Sequence, residues 1–142
     1  MTEATGRRIF RIGAGLLLLT GLVHSISLFT SQKAANETER QLLELMAGYK
    51  MNLMGWMRTM AELMRGFSIS FMVGILAIGV LDLTVSSERA ALLKRVALVN
   101  VLWLAAMIAV AVRYFFIIPL SFLIACFLPF AIVWLALRTE PA

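Results

Sequence analysis

Several ionisable side chains of this sequence lie near the ends of long apolar stretches. His24 stands near the end of the first stretch, Glu62 near the beginning of the second and Arg113 at the end of the third. Ionisable groups in or beside membrane segments are costly to bury and are therefore candidates for function. If the stretches cross a membrane in alternating directions, these groups lie at one level, together with Arg58 and Arg65. If the protein binds a lipid-like or quinone-like molecule, we expect His24, Glu62 and Arg113 to form the polar end of the site at the outer interface, with Arg58 or Arg65 nearby.

A plainer interpretation of the same residues stays open. The i, i+4, i+7 spacing of Arg58, Glu62 and Arg65 is typical of ion pairs along an exposed helix face. Long basic side chains at the ends of membrane segments also extend outward to lipid headgroups. In that case the charges anchor the helices and bind no ligand.

No metal site, cofactor or catalytic signature is predicted. Met54, Met57 and Met60 have a spacing that could bring three thioethers to a copper(I) ion, but no histidine or cysteine accompanies them. His24 is the only histidine and Cys126 the only cysteine, which argues against a histidine-rich metal site and excludes a dithiol redox pair. Flexible methionines are more typical of an irregular apolar surface.

The composition is that of a membrane protein. Of 142 residues, 61% are apolar and 15% charged, and the mean hydropathy is +0.91. A soluble domain of this size has too much surface to hide so many apolar side chains. The net charge of +5 comes from basic residues that lie beside apolar runs. These positions favour lipid headgroups as the partner and argue against nucleic acid.

Four apolar runs predict four membrane spans, at about residues 9–30, 60–83, 92–112 and 115–137. The first run has 22 residues, or about 33 Å as a helix, which matches the hydrocarbon thickness of a bilayer. Its basic flank also resembles a signal peptide, but the apolar part is long for one and a small-x-small cleavage site is missing.

Between the first two spans, apolar residues recur at spacings of three and four from Leu42 onward. This periodicity predicts an amphipathic helix over residues 42–59 that leads into the second span. The predicted fold is therefore all-α: a four-transmembrane-helix bundle in one domain, with an amphipathic helical segment between spans one and two.

Two features predict how the helices pack. Gly66, Ser70 and Gly74 repeat every four residues, which is typical of a ridge that another helix approaches closely. Asn100 lies deep in the third span and is expected to hydrogen-bond across helices. Asp82 is expected to pair with Arg89, Lys94 or Arg95.

Basic residues at the ends of the spans predict the orientation. Arg7, Arg8 and Arg11 form a dense cluster before the first span, and such a cluster usually stays in the cytoplasm. With an even number of spans, both termini are expected to be cytoplasmic and residues 31–58 to lie outside.

Two segments carry a resemblance to a known group of proteins. Gly-Leu-Val-His (residues 21–24) and Gly-Phe-Ser-Ile-Ser-Phe (residues 66–71) resemble segments of small four-helix bacterial integral membrane proteins that have no assigned activity. The resemblance implies a bacterial cytoplasmic (inner) membrane and no particular reaction.

Two classes of function remain open. The first is a non-catalytic membrane protein, either an accessory subunit or a binder of a lipid-like molecule, with a membrane-protein partner or a second copy of itself. The alternative is a membrane enzyme or small transporter that acts on a hydrophobic substrate.

Overall fold

The computed structural model describes residues 1–30 and 33–138. Its elements follow one another along the chain as α1 (Glu3–Ser27), α2 (Glu37–Gly48), β1 (Lys50–Leu53), β2 (Trp56–Thr59), α3 (Met60–Val85), α4 (Ala90–Tyr114) and α5 (Ile117–Ala136). Four of these helices, α1, α3, α4 and α5, are long and apolar enough to cross a membrane. The four predicted spans are therefore confirmed as helices, and the chain has the character of an integral membrane protein.

The segment before α3 differs from the prediction. The amphipathic helix expected over residues 42–59 is not confirmed, because α2 ends at Gly48 and an antiparallel hairpin follows. The hairpin reverses at Met54 and Gly55, whose φ angles are 53° and 95°. Two successive positive φ angles define the tight turn that suits a two-residue hairpin, and glycine adopts such an angle without strain. Asn52 Oδ1 accepts a hydrogen bond from the Gly55 amide at 2.8 Å and holds this turn closed.

The chain forms two compact units, and the first comprises Met1–Thr20 and Ile75–Ala142. Parts of the four apolar helices pack together in this unit. Phe10 of α1 meets Phe130 of α5 edge to face, with ring centroids 5.3 Å apart. Gly79 of α3 lies so close to α1 that an added Cβ would be 2.9 Å from the Leu18 side chain. Small and aromatic residues therefore interlock at the centre of this unit.

The second unit, Gly21–Gly74, contains the end of α1, helix α2, the hairpin and the first half of α3. His24 of α1 packs edge to face against Phe71 of α3, with ring centroids 5.1 Å apart. None of the residues of α2 is buried. Asn36 caps this helix by accepting a hydrogen bond from the Glu39 amide at 2.9 Å, which satisfies one of the free donors of its first turn.

Candidate functional site: a groove along the first turns of α3

A groove of about 560 Å³ runs along α3 in the second unit. Its lining consists of Arg58, Glu62, Leu63, Gly66, Phe67 and Ser70. The last strand of the hairpin supplies the arginine, and α3 supplies the other five residues. Residues 62, 66 and 70 lie on one helix face because they are four apart. They extend the groove about 12 Å along the helix axis.

The position of Glu62 follows from a reciprocal cap at the start of α3. The Thr59 amide donates to Glu62 Oε2 at 2.8 Å, and the Glu62 amide donates to Thr59 Oγ1 at 3.1 Å. This is a capping box, in which two otherwise free backbone donors are satisfied. The cap ends β2, begins α3 and fixes the carboxylate at the end of the groove nearest the start of α3. Thr59 was missed in the sequence analysis, although the Thr-x-x-Glu pattern at residues 59–62 signals such a cap.

Arg58 provides the positive charge of the groove. Its guanidinium lies 5.7 Å from the ring centroid of Trp56, and its Nη1 donates to the Met57 carbonyl at 3.0 Å. Within residues 1–30 and 33–138, no carboxylate oxygen lies within 4 Å of this guanidinium. The ion pairs that the plainer interpretation expected with Glu62 are therefore not formed in the described part of the chain. The remaining N–H donors of Arg58 are available to an anionic group in the groove.

The structure also places the other predicted ligand-binding residues. Arg65 is exposed on α3 and is not among the lining residues. The Nε2 atom of His24 is enclosed and has no hydrogen-bond partner among the described residues. Arg113 belongs to the first unit, where its guanidinium lies 5.4 Å from the Tyr114 ring centroid. Arg58 and Glu62 are thus brought to one groove, while a role for His24, Arg65 and Arg113 stays a prediction.

The predicted ridge of small residues forms part of the groove. A Cβ atom added to Gly66 or Gly74 would meet no atom within 4 Å among the residues that the structure describes. Gly66 and Ser70 line the groove instead. Packing of this ridge against another helix stays a prediction, and the small side chains leave space for a bound molecule.

Asn100 forms a buried polar cluster in the first unit. Its Nδ2 atom lies 3.0 Å from both carboxylate oxygens of Asp82, and its Oδ1 atom accepts from Trp103 Nε1 at 2.9 Å. Within the described ranges, no lysine or arginine nitrogen lies within 4 Å of the Asp82 carboxylate. Lys94, one of the expected partners, donates to the Leu137 carbonyl at 3.1 Å. The cluster joins α3 to α4 through a carboxylate and an amide.

No protein-family model, curated protein or solved structure matches this chain.

Proposed function

We propose that this protein is a small non-catalytic membrane protein that binds a lipid-like molecule in the groove along α3. The observation that carries the proposal is the composition of that groove. An arginine and a glutamate lie at the end of the groove nearest the start of α3. Two large apolar side chains, Leu63 and Phe67, line it further along, and the small residues Gly66 and Ser70 leave room beside them. A molecule with a polar end and an apolar body is complementary to this arrangement of charged and apolar residues, since ligand sites combine mostly apolar walls with a few placed polar groups.

The roles of the groove residues follow from their contacts. Arg58 is held by Trp56 and presents free donors, so it binds the anionic or carbonyl oxygen of the ligand. Glu62 caps α3 through one carboxylate oxygen, and its other oxygen can accept from a ligand hydroxyl. Leu63 and Phe67 contact the apolar body.

Filling the groove tests this proposal. Gly66→Leu places a large side chain where an added Cβ meets only open space, so the fold is kept while the groove is closed. Gly74→Leu is the matched control, because this position is equally open but does not line the groove. The proteins are extracted gently from membranes, and the retained lipid-like molecules are measured by mass spectrometry.

We expect the Gly66→Leu protein to lose most of its retained molecule and the Gly74→Leu protein to keep it. Arg58→Gln is expected to weaken binding about tenfold or more, since a hydrogen bond to a charged group contributes about 1.5–3 kcal/mol. Equal retention in all three variants and the parent protein would exclude the groove as the binding site. Turnover of a hydrophobic substrate by the parent protein would favour the alternative, an enzyme or transporter.

A protein partner is a further part of the proposal. α2 has no buried residue, and its Leu42 and Leu45 side chains are 54% and 63% exposed. Exposed apolar residues at this spacing favour contact with lipid headgroups, with another membrane protein or with a second copy of the chain. The mass of the extracted particle, measured in the same preparations, distinguishes a single chain from a complex.

The orientation is proposed from the charge distribution. The arginine cluster at residues 7–11 favours cytoplasmic termini in a bacterial inner membrane. Single cysteines at Ala34 and Glu88 test this, in a Cys126→Ala background. Glu88 is exposed, whereas the neighbouring Ser86 is 3% exposed and is a poor labelling position. We expect an impermeant reagent to label Ala34→Cys and not Glu88→Cys in intact cells; the reverse pattern would invert the orientation.

A further inference from the structure

A second groove, in the first unit, is rich in arginine. It has a volume of about 590 Å³ and lies along the first turns of α1, where it is lined by Ala4, Arg7, Arg8, Arg11 and Ile12. Three of the five lining residues are cationic and the other two are apolar. This combination is typical of a site for an amphipathic molecule with a negatively charged group.

One of these arginines is held in place by the turn between α3 and α4. Arg11 Nε donates to Ser86 Oγ at 3.0 Å, and Arg11 Nη2 donates to Ser87 Oγ at 2.9 Å. Ser86 is 3% exposed, so its hydroxyl is itself fixed within the unit. Both acceptors are neutral hydroxyl groups, so neither compensates the positive charge of the guanidinium. A positioned guanidinium loses less side-chain entropy on binding than a free one.

The positive charge of this groove is largely uncompensated. Arg7 forms an ion pair with Glu3 at 2.6 Å. Within the described ranges, neither Arg8 nor Arg11 has a carboxylate oxygen within 4 Å. Arg8 and Arg11 lie three residues apart on α1, and like charges at neighbouring positions on a helix repel each other. A bound anion between these arginines removes this repulsion.

We propose that this groove binds the phosphate group of an anionic lipid. The guanidinium groups of Arg8 and Arg11 donate to the phosphate oxygens, because their planar arrays of donors match phosphate geometry. Ile12 follows these arginines at the start of the apolar run and contacts the apolar part of the lipid. α1 is long and apolar enough to cross a membrane, and clusters of basic residues beside a membrane helix attract anionic lipid headgroups. The site uses none of the residues that line the groove along α3.

The test compares lipid binding by the full chain in nanodiscs of phosphatidylcholine with a rising fraction of phosphatidylglycerol. Native mass spectrometry of the released protein counts the bound phosphatidylglycerol. Three changes are compared: Arg11→Gln, Arg11→Lys, and Ser86→Ala with Ser87→Ala. Arg95→Gln is the matched control, since this exposed arginine of the same unit does not line the groove. Circular dichroism verifies that each variant is folded.

We expect Arg11→Gln to lower the apparent affinity for phosphatidylglycerol about tenfold or more. Arg11→Lys and the double serine variant, which keep the charge, are expected to lower it several-fold, and Arg95→Gln by no more than about fivefold. Equal losses for Arg11→Gln and Arg95→Gln, with no loss for Arg11→Lys, would mean general attraction to the membrane surface and overturn the proposal. Displacement of phosphatidylglycerol by millimolar inorganic phosphate would show that the groove binds free phosphate rather than a lipid, and would also overturn the proposal.

Discussion

Replacing Asn100 by leucine removes the side-chain donor that the structure gives to a buried carboxylate. Asp82 is 3% exposed and Asn100 is 2% exposed, so water does not take over the lost contact. The indole N–H of Trp103 can only donate. It therefore holds the amide oxygen of Asn100 on its own side and turns the amide nitrogen towards Asp82. The substitution therefore removes both the donor to the Asp82 carboxylate and the acceptor for the Trp103 indole.

The expected cost follows from these contacts. A buried neutral group without its partner costs about 1–3 kcal/mol, and a charged group costs more. Interhelical hydrogen bonds in membrane proteins contribute less, about 0.6 kcal/mol on average and about 1.7 kcal/mol at most. Trp103 is half-buried and adds little. We expect Asn100→Leu to lower the free energy of unfolding by about 2–4 kcal/mol, because it leaves the Asp82 carboxylate unpaired.

A double-mutant cycle measures the coupling directly. Unfolding by sodium dodecyl sulfate in mixed micelles, followed by circular dichroism, is compared for the parent protein, Asp82→Leu, Asn100→Leu and the double variant. The double variant buries no unpaired charge, so its cost is expected to be at least about 1 kcal/mol below the sum of the single costs. A cost of Asn100→Leu below about 0.5 kcal/mol, or strict additivity, would show that this amide does not support the carboxylate.

Two further predictions concern packing and pH. Gly79→Val is expected to lower the free energy of unfolding by about 1–3 kcal/mol, because an added Cβ would lie 2.9 Å from the Leu18 side chain. Gly74→Val, in open space on the same helix, is the control in the same unfolding assay. Equal losses of stability in the two variants would contradict close packing at Gly79. Arg40 hydrogen-bonds the Glu37 carboxylate and lowers its pKa below the ordinary 4.5. This contact therefore stabilises α2 above that pH and is lost as the pH falls through the lowered pKa. Hydrogen exchange of α2, corrected for the intrinsic effect of pH, should show protection falling on acidification in the parent protein and less change in Arg40→Met. Protection that rises in acid would contradict this sign.

Between α2 and α3 the structure has a β-hairpin where the apolar periodicity predicts a continuous helix. Apolar residues three and four positions apart predict one long helix, but two short local signals interrupt it. Asn52 and Gly55 form the hairpin turn, and the Thr-x-x-Glu pattern at residues 59–62 begins a new helix. These signals are readable in the sequence, because each depends on side chains at most three positions from the backbone group they bind. Local hydrogen bonds outweighed the apolar spacing.

The sequence by itself determined that four helices long and apolar enough to cross a membrane are formed. A long apolar run in lipid satisfies its backbone donors and acceptors within its own segment only as a helix. The sequence also placed Arg58 beside Glu62, but through a helical spacing that does not apply, because Arg58 lies on β2 and α3 begins at Met60. The two residues still line one groove.

Only the tertiary structure decided which distant residues meet. Asp82 joins Asn100 across 18 positions, and Arg11 joins Ser86 across 75. Helix periodicity states which residues share a face, but it does not state which face of one helix turns towards which face of another. Those choices depend on the packing of side chains such as Phe130 against Phe10 and on the close approach of α1 to Gly79. The five residues of the arginine groove share one helix, but the position of Arg11 within it depends on tertiary structure, because its partners Ser86 and Ser87 belong to a turn that only the folded chain brings beside it.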